Sequence, residues 1–135
     1  MKRFAIIVAG GQGVRMQGTL PKQFLPLEGE PVLLHTLRRF HLPGIRILLV
    51  MNPDYITYWN ESCRDLSNVP EHQHIPGGTT RALSVLNGLK AITEDGLVAI
   101  HDAVRPLCSP TLIERLYADC TLHGSAIPVV PVKDT

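Results

Sequence analysis

Short apolar runs alternate with segments of helical period along nearly the whole chain, and this alternation constrains the fold more than any other feature. Buried strands are predicted over residues 4–8, 45–51 and 97–100, with a short extended piece ending near residue 75. Helices are predicted between them over residues 31–40 and 80–92, with another ending near residue 63. Such alternation indicates an α/β fold, with a mostly parallel sheet and helices on both faces.

Side-chain periodicity also predicts which helix faces point inward. In the segment 31–40, one face carries Leu33, Leu34, Leu37 and Phe40. In the segment 80–92, the i, i+3, i+4, i+7 pattern predicts an inward face. Its members are Ala82, Val85, Leu86, Leu89 and Ile92. A further helix is predicted over residues 110–122, because Ser109 stands where an N-cap belongs and Pro110 at the first helical position.

A last strand is predicted over residues 126–132, and the chain ends three residues later at Thr135. No closing helix or polar tail follows, so we expect a domain truncated at its C-terminus. The length of 135 residues accommodates one domain, spanning residues 1–135, with a substantial core.

Composition excludes several classes of function. A net charge of +1 gives no electrostatic basis for binding nucleic acid or a membrane surface. The three cysteines show no Cys-x-x-Cys spacing, which favours a reduced, cytoplasmic protein without a disulfide framework or zinc site. The apolar start is too short for a signal peptide, and no apolar stretch is long enough for a membrane span.

A glycine-rich segment, AGGQGVRM, follows the first predicted strand. Gly10, Gly11 and Gly13 let the backbone approach a phosphate chain closely, and Arg15 adds a guanidinium suited to phosphate oxygens. A dinucleotide fingerprint would need glycine where Met16 stands, and the Walker Gly-Lys-Ser/Thr is absent. The structural alternative is a tight turn with an exposed arginine.

A second segment, Leu20-Pro21-Lys22-Gln23-Phe24, lies on the same predicted loop. Pro21 stiffens the backbone before Lys22, which would hold a compact ammonium near the glycine segment. Lys22 taken alone fits a solvated surface lysine equally well.

A third segment, GGTTRALS, precedes the helix predicted over residues 80–92. Its glycines permit close backbone approach, Thr80 is suited to cap the helix, and Ser84 lies near enough to its start to reach a ligand. The same pattern fits an ordinary capped helix.

A fourth segment, HDAVRP, follows the strand predicted over residues 97–100. A carboxylate there, at the carboxyl end of a strand, suits a Mg²⁺ ion that also binds substrate phosphates. Asp102 could instead cap a turn or pair with Arg105. His101 is interpreted as structural, because no partner spacing suggests a metal site.

Together these segments resemble the 2-C-methyl-D-erythritol 4-phosphate cytidylyltransferases of the non-mevalonate isoprenoid pathway. The resemblance runs through AGGQGVRM, PKQFLPLEGEPVLLHTL, GGTTRALSVLNGL, HDAVRP and PVKDT. It implies a Rossmann-like fold of the nucleotide-diphospho-sugar transferase type, a homodimer, and transfer of CMP from CTP to a polyol phosphate with release of pyrophosphate. Members of this family continue for roughly another hundred residues, which also implies truncation.

The resemblance also implies residue roles. Arg15 and Lys22 match the basic pair that holds the triphosphate and stabilises the transition state, and Asp102 matches the Mg²⁺ ligand. Thr79 stands where members often carry an aspartate near the ribose. The expected nucleotide-binding positions are Ala9, Gly10, Gly11, Gly13, Gly78, Thr79, Ser84 and Ala103. The expected acceptor-phosphate positions, partly across the dimer, are Arg105, Lys133 and Thr135.

Three alternatives stay open at this point. A ribitol-5-phosphate cytidylyltransferase would carry nearly the same motifs. A sugar-1-phosphate nucleotidyltransferase fits Pro-Lys-Gln and His-Asp-Ala-Val-Arg-Pro less well. The third alternative is not an enzyme but a truncated nucleotide-binding module without catalysis. The presence of Arg15, Lys22 and Asp102 disfavours a module that has lost its catalytic residues.

Overall fold

The computed structural model describes residues 1–9 and 20–134, and these residues form a parallel sheet with helices on both faces. The strands are β1 (Lys2–Ala9), β2 (Pro26–Leu27), β3 (Glu30–Pro31), β4 (Ile45–Met51), β5 (Gln73–Pro76) and β6 (Gly96–Asp102). The helices are α1 (Val32–Phe40), α2 (Ile56–Arg64), α3 (Arg81–Lys90) and α4 (Pro110–His123), and 3₁₀ turns span Lys22–Phe24 and Pro53–Tyr55.

The main sheet has the order β5-β4-β1-β6, and every neighbouring pair in it is parallel. Strand β1 is central, and its residue Val8 lies beside Val50 of β4 and beside Asp102 of β6. The carboxyl ends of three strands therefore meet at one edge. The short strands β2 and β3 form a separate antiparallel pair.

Alternate residues of β1 face two different core clusters, as expected for a strand buried on both sides. Phe4, Ile6 and Val8 face the cluster that includes residues of α3. Ala5, Ile7 and Ala9 face the larger cluster, which includes residues of α1, α2 and α4. All six of these side chains are at most 8% exposed.

The predicted order of strands and helices is confirmed for most of the chain. Strand 45–51 has the predicted bounds, and β1 and β6 extend one or two residues beyond theirs. In α1, the predicted inward side chains are buried; they are Leu33, Leu34, Leu37 and Phe40. In α4, Ser109 caps the helix by accepting from Leu112 N–H at 3.1 Å.

The predicted inward face of α3 is partly wrong. Leu86 and Leu89 are 41% and 40% exposed, whereas Ser84 and Gly88 are buried. A Cβ at Gly88 would lie 2.9 Å from Cγ2 of Ile6. The helix therefore approaches β1 on its small residues, which a count of apolar side chains does not detect.

The strand predicted over residues 126–132 is also wrong. These residues, all of which the structure describes, pair with no other strand. Their apolar side chains are between 82% and 96% exposed; they are Ile127, Val129, Val130 and Val132. Pro128 and Pro131 have no N–H to donate to a strand ladder, which weakens any strand here.

None of the helices in residues 1–9 and 20–134 combines the length and the apolar character that crossing a membrane requires.

Two histidines, one in β5 and one just before it, contact side chains of α2. Trp59 Nε1 can only donate, so His72 Nε2 accepts at 3.0 Å, and His72 Nδ1–H donates to Pro70 O at 2.7 Å. His74 Nε2 lies 3.1 Å from Asn60 Oδ1, and its buried Nδ1 has no hydrogen-bond partner among the described residues. Burial lowers the pKa of His74 below its ordinary 6.5.

We expect the free energy of unfolding to fall as the pH drops below about 6.5, because the unfolded chain then binds a proton that folded His74 does not. The contribution of His74 to the free energy of unfolding is fully present above the pKa that this histidine has in the unfolded chain. It is lost progressively as the pH falls to the lower pKa that His74 has in the folded protein. Urea unfolding at about pH 7.5 and about pH 5.5 measures the difference. His74→Gln should flatten this dependence, whereas His123→Gln, at an exposed position, should leave it unchanged. An equal slope in His74→Gln would contradict the assignment.

Candidate functional site

The HDAVRP segment lies beside the end of β1, where the glycine-rich segment begins. Val8 and Asp102 are partners in the ladder between β1 and β6. The N–H of Ala103 then donates to Val8 O at 3.0 Å. The pairing of β1 with β6 thus brings together two segments that lie almost a hundred residues apart in the sequence, at the edge where parallel sheets bind ligands.

Asp102 forms ion pairs with two arginines. Its Oδ1 accepts from Nε and Nη2 of Arg81 at 3.1 and 2.9 Å. Its Oδ2 accepts from Nε of Arg105 at 3.1 Å. The pairing with Arg105, which was the structural interpretation of Asp102, is therefore present, whereas the contact with Arg81 was not predicted.

The arginines also determine the ionisation of Asp102. Partial burial raises the pKa of its carboxyl, but the hydrogen bonds and charges of Arg81 and Arg105 outweigh this effect, and the net pKa lies below 3.8. Asp102 is consequently an anion near neutral pH, and its side chain is 32% exposed.

Two side chains of α1 donate hydrogen bonds to backbone carbonyls of the HDAVRP segment. The hydroxyl of Thr36, which is fully buried, donates to Ala103 O at 2.6 Å. Nε of Arg39 donates to Pro106 O at 2.9 Å. These contacts fix the chain on both sides of Arg105, and neither was predicted, because α1 was interpreted only through its apolar face.

His101 contributes to the same support, as its structural interpretation predicts. Its Nε2 lies 2.8 Å from Arg105 O, and its ring packs on Phe40 with the centroids 4.9 Å apart. The sulfur of Cys108 lies 3.7 Å from the same nitrogen. Among residues 1–9 and 20–134, no three His, Cys, Asp or Glu side chains form a group that could hold a metal ion.

The PKQ segment forms a 3₁₀ turn beside the end of β1. Gln23 is buried and donates from Nε2 to Ala9 O at 3.3 Å. Phe24 is buried against the ring of Trp59. Lys22 is exposed, and the turn holds its backbone close to the start of the glycine-rich segment.

The GGTTR segment turns tightly into α3. Gly78 N–H donates to Ser84 Oγ at 3.0 Å, and a Cβ on Gly78 would lie 2.5 Å from Cβ of Leu83. Thr80 caps α3 by accepting from Leu83 N–H at 3.1 Å, as predicted. Ser84 is fully buried and holds this turn, while Thr79 is exposed.

The described part of the predicted site therefore lies mainly at one sheet edge. Val8, the neighbour of Ala9, pairs there with Asp102 and accepts from Ala103 N–H, and Arg81 joins the start of α3 to Asp102. Lys133 is exposed in the segment that follows α4, and it forms no hydrogen bond or ion pair with the described site residues. The predicted positions that lie outside the described residues are Gly10, Gly11, Gly13, Arg15 and Thr135.

Comparison with known proteins gives consistent matches over the whole chain. Residues 4–135 match the family described as IspD, 2-C-methyl-D-erythritol 4-phosphate cytidylyltransferase. Curated proteins of that name from Porphyromonas gingivalis and Bacteroides thetaiotaomicron are 45% and 44% identical, over 99% and 100% of this chain. The chain spans only 60% and 63% of their respective lengths.

A solved structure shares the fold. The chain resembles 4-diphosphocytidyl-2C-methyl-D-erythritol synthase from Anaerococcus prevotii with a TM-score of 0.70 and 31% identity. The likeness covers 87% of this chain and 50% of that one.

Thr36→Val should lower the free energy of unfolding by about 1–3 kcal/mol, because it leaves the buried Ala103 carbonyl without its donor at nearly unchanged volume. Thr121→Val is a matched control, since its hydroxyl also donates to a backbone carbonyl, Tyr117 O at 3.0 Å, from an exposed position. Urea unfolding of both variants measures the difference. Equal losses in the two variants would show that Thr36 does not hold the segment.

Proposed function

The chain belongs to the 2-C-methyl-D-erythritol 4-phosphate cytidylyltransferase family, and we propose that the whole protein transfers CMP from CTP to 2-C-methyl-D-erythritol 4-phosphate. Pyrophosphate is the second product. The observation that carries the proposal is the extent of the family match, which runs from residue 4 to residue 135 and includes all four motifs. The geometry supports it, because described parts of these motifs converge at the ligand-binding edge of the sheet.

The reaction is an in-line displacement at phosphorus. An oxygen of the acceptor's phosphate forms a bond to the α-phosphorus of CTP, the bond from that phosphorus to the β-phosphate bridging oxygen breaks, and pyrophosphate leaves with the electron pair. The nucleophile is already an anion, so no protein base is required. Catalysis then consists of positioning and of stabilising the charge that develops.

Residues of the chain supply fixed positive charge for this step. Arg15 and Lys22 contact the triphosphate and stabilise charge on the α-phosphate and the leaving pyrophosphate. Ala9, the turn at Gly78 and Ala103 contribute backbone groups to the nucleoside end. Gln23, bonded to Ala9 O, keeps the start of the glycine-rich segment next to Lys22.

Asp102 is suited to a magnesium site by its donor chemistry. It is an ionised carboxylate at a strand end, and Mg²⁺ in proteins commonly takes one or two carboxylates together with substrate phosphates. When bound there, Mg²⁺ would neutralise charge on the phosphate oxygens. The bonds that Arg81 makes to Oδ1 must be released before that oxygen can bind the ion.

The assembly and the compartment form part of the same proposal. The whole protein acts as a homodimer, in which Arg105, Lys133 and Thr135 face the acceptor phosphate. Arg105 supports such a role because its side chain is 73% exposed beside Asp102. The three cysteines are free, in keeping with a reduced cytoplasmic setting.

Nucleotide and acceptor preference test the proposed function. The whole protein should release pyrophosphate from CTP with 2-C-methyl-D-erythritol 4-phosphate, and CTP with Mg²⁺ should raise its melting temperature more than ATP, GTP or UTP, since ligands of the native state stabilise it. Faster turnover with ribitol 5-phosphate would move the assignment to that acceptor. Equal melting shifts for all four nucleotides would contradict a cytosine-selective site.

Arg15→Ala and Lys22→Ala should each reduce kcat by about 10²–10³, the loss typical of removing one preorganised donor to a transition-state charge. Steady-state kinetics on the whole protein measures the effect. Arg64→Ala, which removes an exposed cation at the end of α2, is the control and should turn over normally. Near-normal kcat in either site variant would remove that residue from the mechanism.

A further inference from the structure

Arg81 has an unusual position for a cation. It is the first residue of α3, directly after the capping Thr80. Helix N-termini carry partial positive charge, so an acidic residue there stabilises a helix and a basic one does not. Helix stability therefore does not explain Arg81, and its partner Asp102 lies 21 positions away on a different strand.

The contact with Arg81 occupies one side of the Asp102 carboxylate. Oδ1 accepts two N–H bonds from Arg81, which use both lone pairs of that oxygen. Oδ2 accepts one bond from Arg105. One negative charge is thus contacted by two positive charges, and a free divalent cation approaching Asp102 meets net repulsion from these three groups.

We propose that Arg81 blocks Asp102 from binding a divalent cation until the triphosphate of a nucleotide draws its guanidinium away, so that the cation enters only together with phosphates. The inference rests on the proposed function, because the displacing ligand is the nucleotide substrate. Arg81 is then a positioning residue that makes cation binding depend on nucleotide binding.

The exchange is feasible because the ion pair is exposed. The side chain of Arg81 is 58% exposed, and surface ion pairs contribute little net stability. A triphosphate presents several anionic oxygens, and arginine binds phosphate as readily as carboxylate. The start of α3, with its positive end, also favours an anion at this place.

Arg105 is less suited to this role than Arg81. It lies three residues after Asp102 on the same segment, and its carbonyl is held by His101. Arg81 instead follows the turn between β5 and α3, so a ligand bound at that turn can contact its side chain and move it. Because Arg81 alone occupies Oδ1, its withdrawal frees that oxygen while Arg105 stays on Oδ2.

The test measures Mn²⁺ binding to the whole protein without nucleotide. Binding is monitored by the decrease in the EPR signal of the free ion. Arg81→Gln should bind Mn²⁺ about tenfold more tightly than the wild type, since one unit charge about 5 Å from a divalent ion changes its affinity by that order in water. Adding Asp102→Asn to this variant should abolish the gain. Arg115→Gln, which removes an exposed cation paired with Asp119 on α4, should show no gain.

A second measurement follows the phosphate contact directly. In the presence of a chelator, Arg81→Gln should bind CTP about threefold or more weakly than the wild type, because a guanidinium–phosphate contact is lost. Arg81→Lys should fall between the wild type and Arg81→Gln both in Mn²⁺ affinity and in CTP affinity, since it keeps the charge without the two-pronged geometry. Melting temperatures close to the wild type in all variants show that the fold is retained.

The outcomes separate this inference from the proposed function. Equal Mn²⁺ affinities of the wild type and Arg81→Gln overturn the blocking role, even if the whole protein transfers CMP. A gain that survives Asp102→Asn also overturns it, because the ion would then bind elsewhere. If the gain depends on Asp102 but no acceptor supports pyrophosphate release from CTP, the proposed function is wrong and the blocking role is retained.

Discussion

The position of β1 between β4 and β6 is the constraint on which the rest of the structure depends. Parallel pairing on both sides aligns the carboxyl ends of the three strands, and the register fixes Asp102 beside Val8. Both faces of β1 are buried, which leaves helices on each side as the arrangement that removes its apolar residues from water. Because a parallel pair requires a crossover connection, the segments between strands must also return over the sheet.

Much of this architecture could be predicted from the sequence because strands buried on both faces are continuous apolar runs. The run at residues 45–51 was found with its correct bounds, and α1 was found with its buried face. Where burial depends on small residues or on a pairing partner, the pattern fails. Gly88 packs without a side chain, and Val129 and Val130 have the composition of a strand but no neighbour to pair with.

At the candidate site, too, the sequence predicted some features and missed others. The motif after the strand predicted over residues 97–100 correctly placed Asp102 at the edge of the sheet, because parallel strands deliver their carboxyl ends to one edge. The residues that hold those motifs were missed. Thr36 and Gln23 donate to backbone carbonyls of distant segments, and no periodicity or spacing in the sequence encodes which carbonyl a buried hydroxyl or amide will meet.

The close approach of α3 to β1 at Gly88 has a consequence for the electrostatics of the site. Gly88 lies two turns after Arg81 on the same helix, and its missing side chain lets the helix rest directly on Ile6. A larger residue would lift the helix and carry its first residue away from β6. The distance between the guanidinium of Arg81 and the carboxylate of Asp102 is thus set by steric contact within the hydrophobic core. A substitution at Gly88, far from any ligand, would therefore change the electrostatic potential at Asp102.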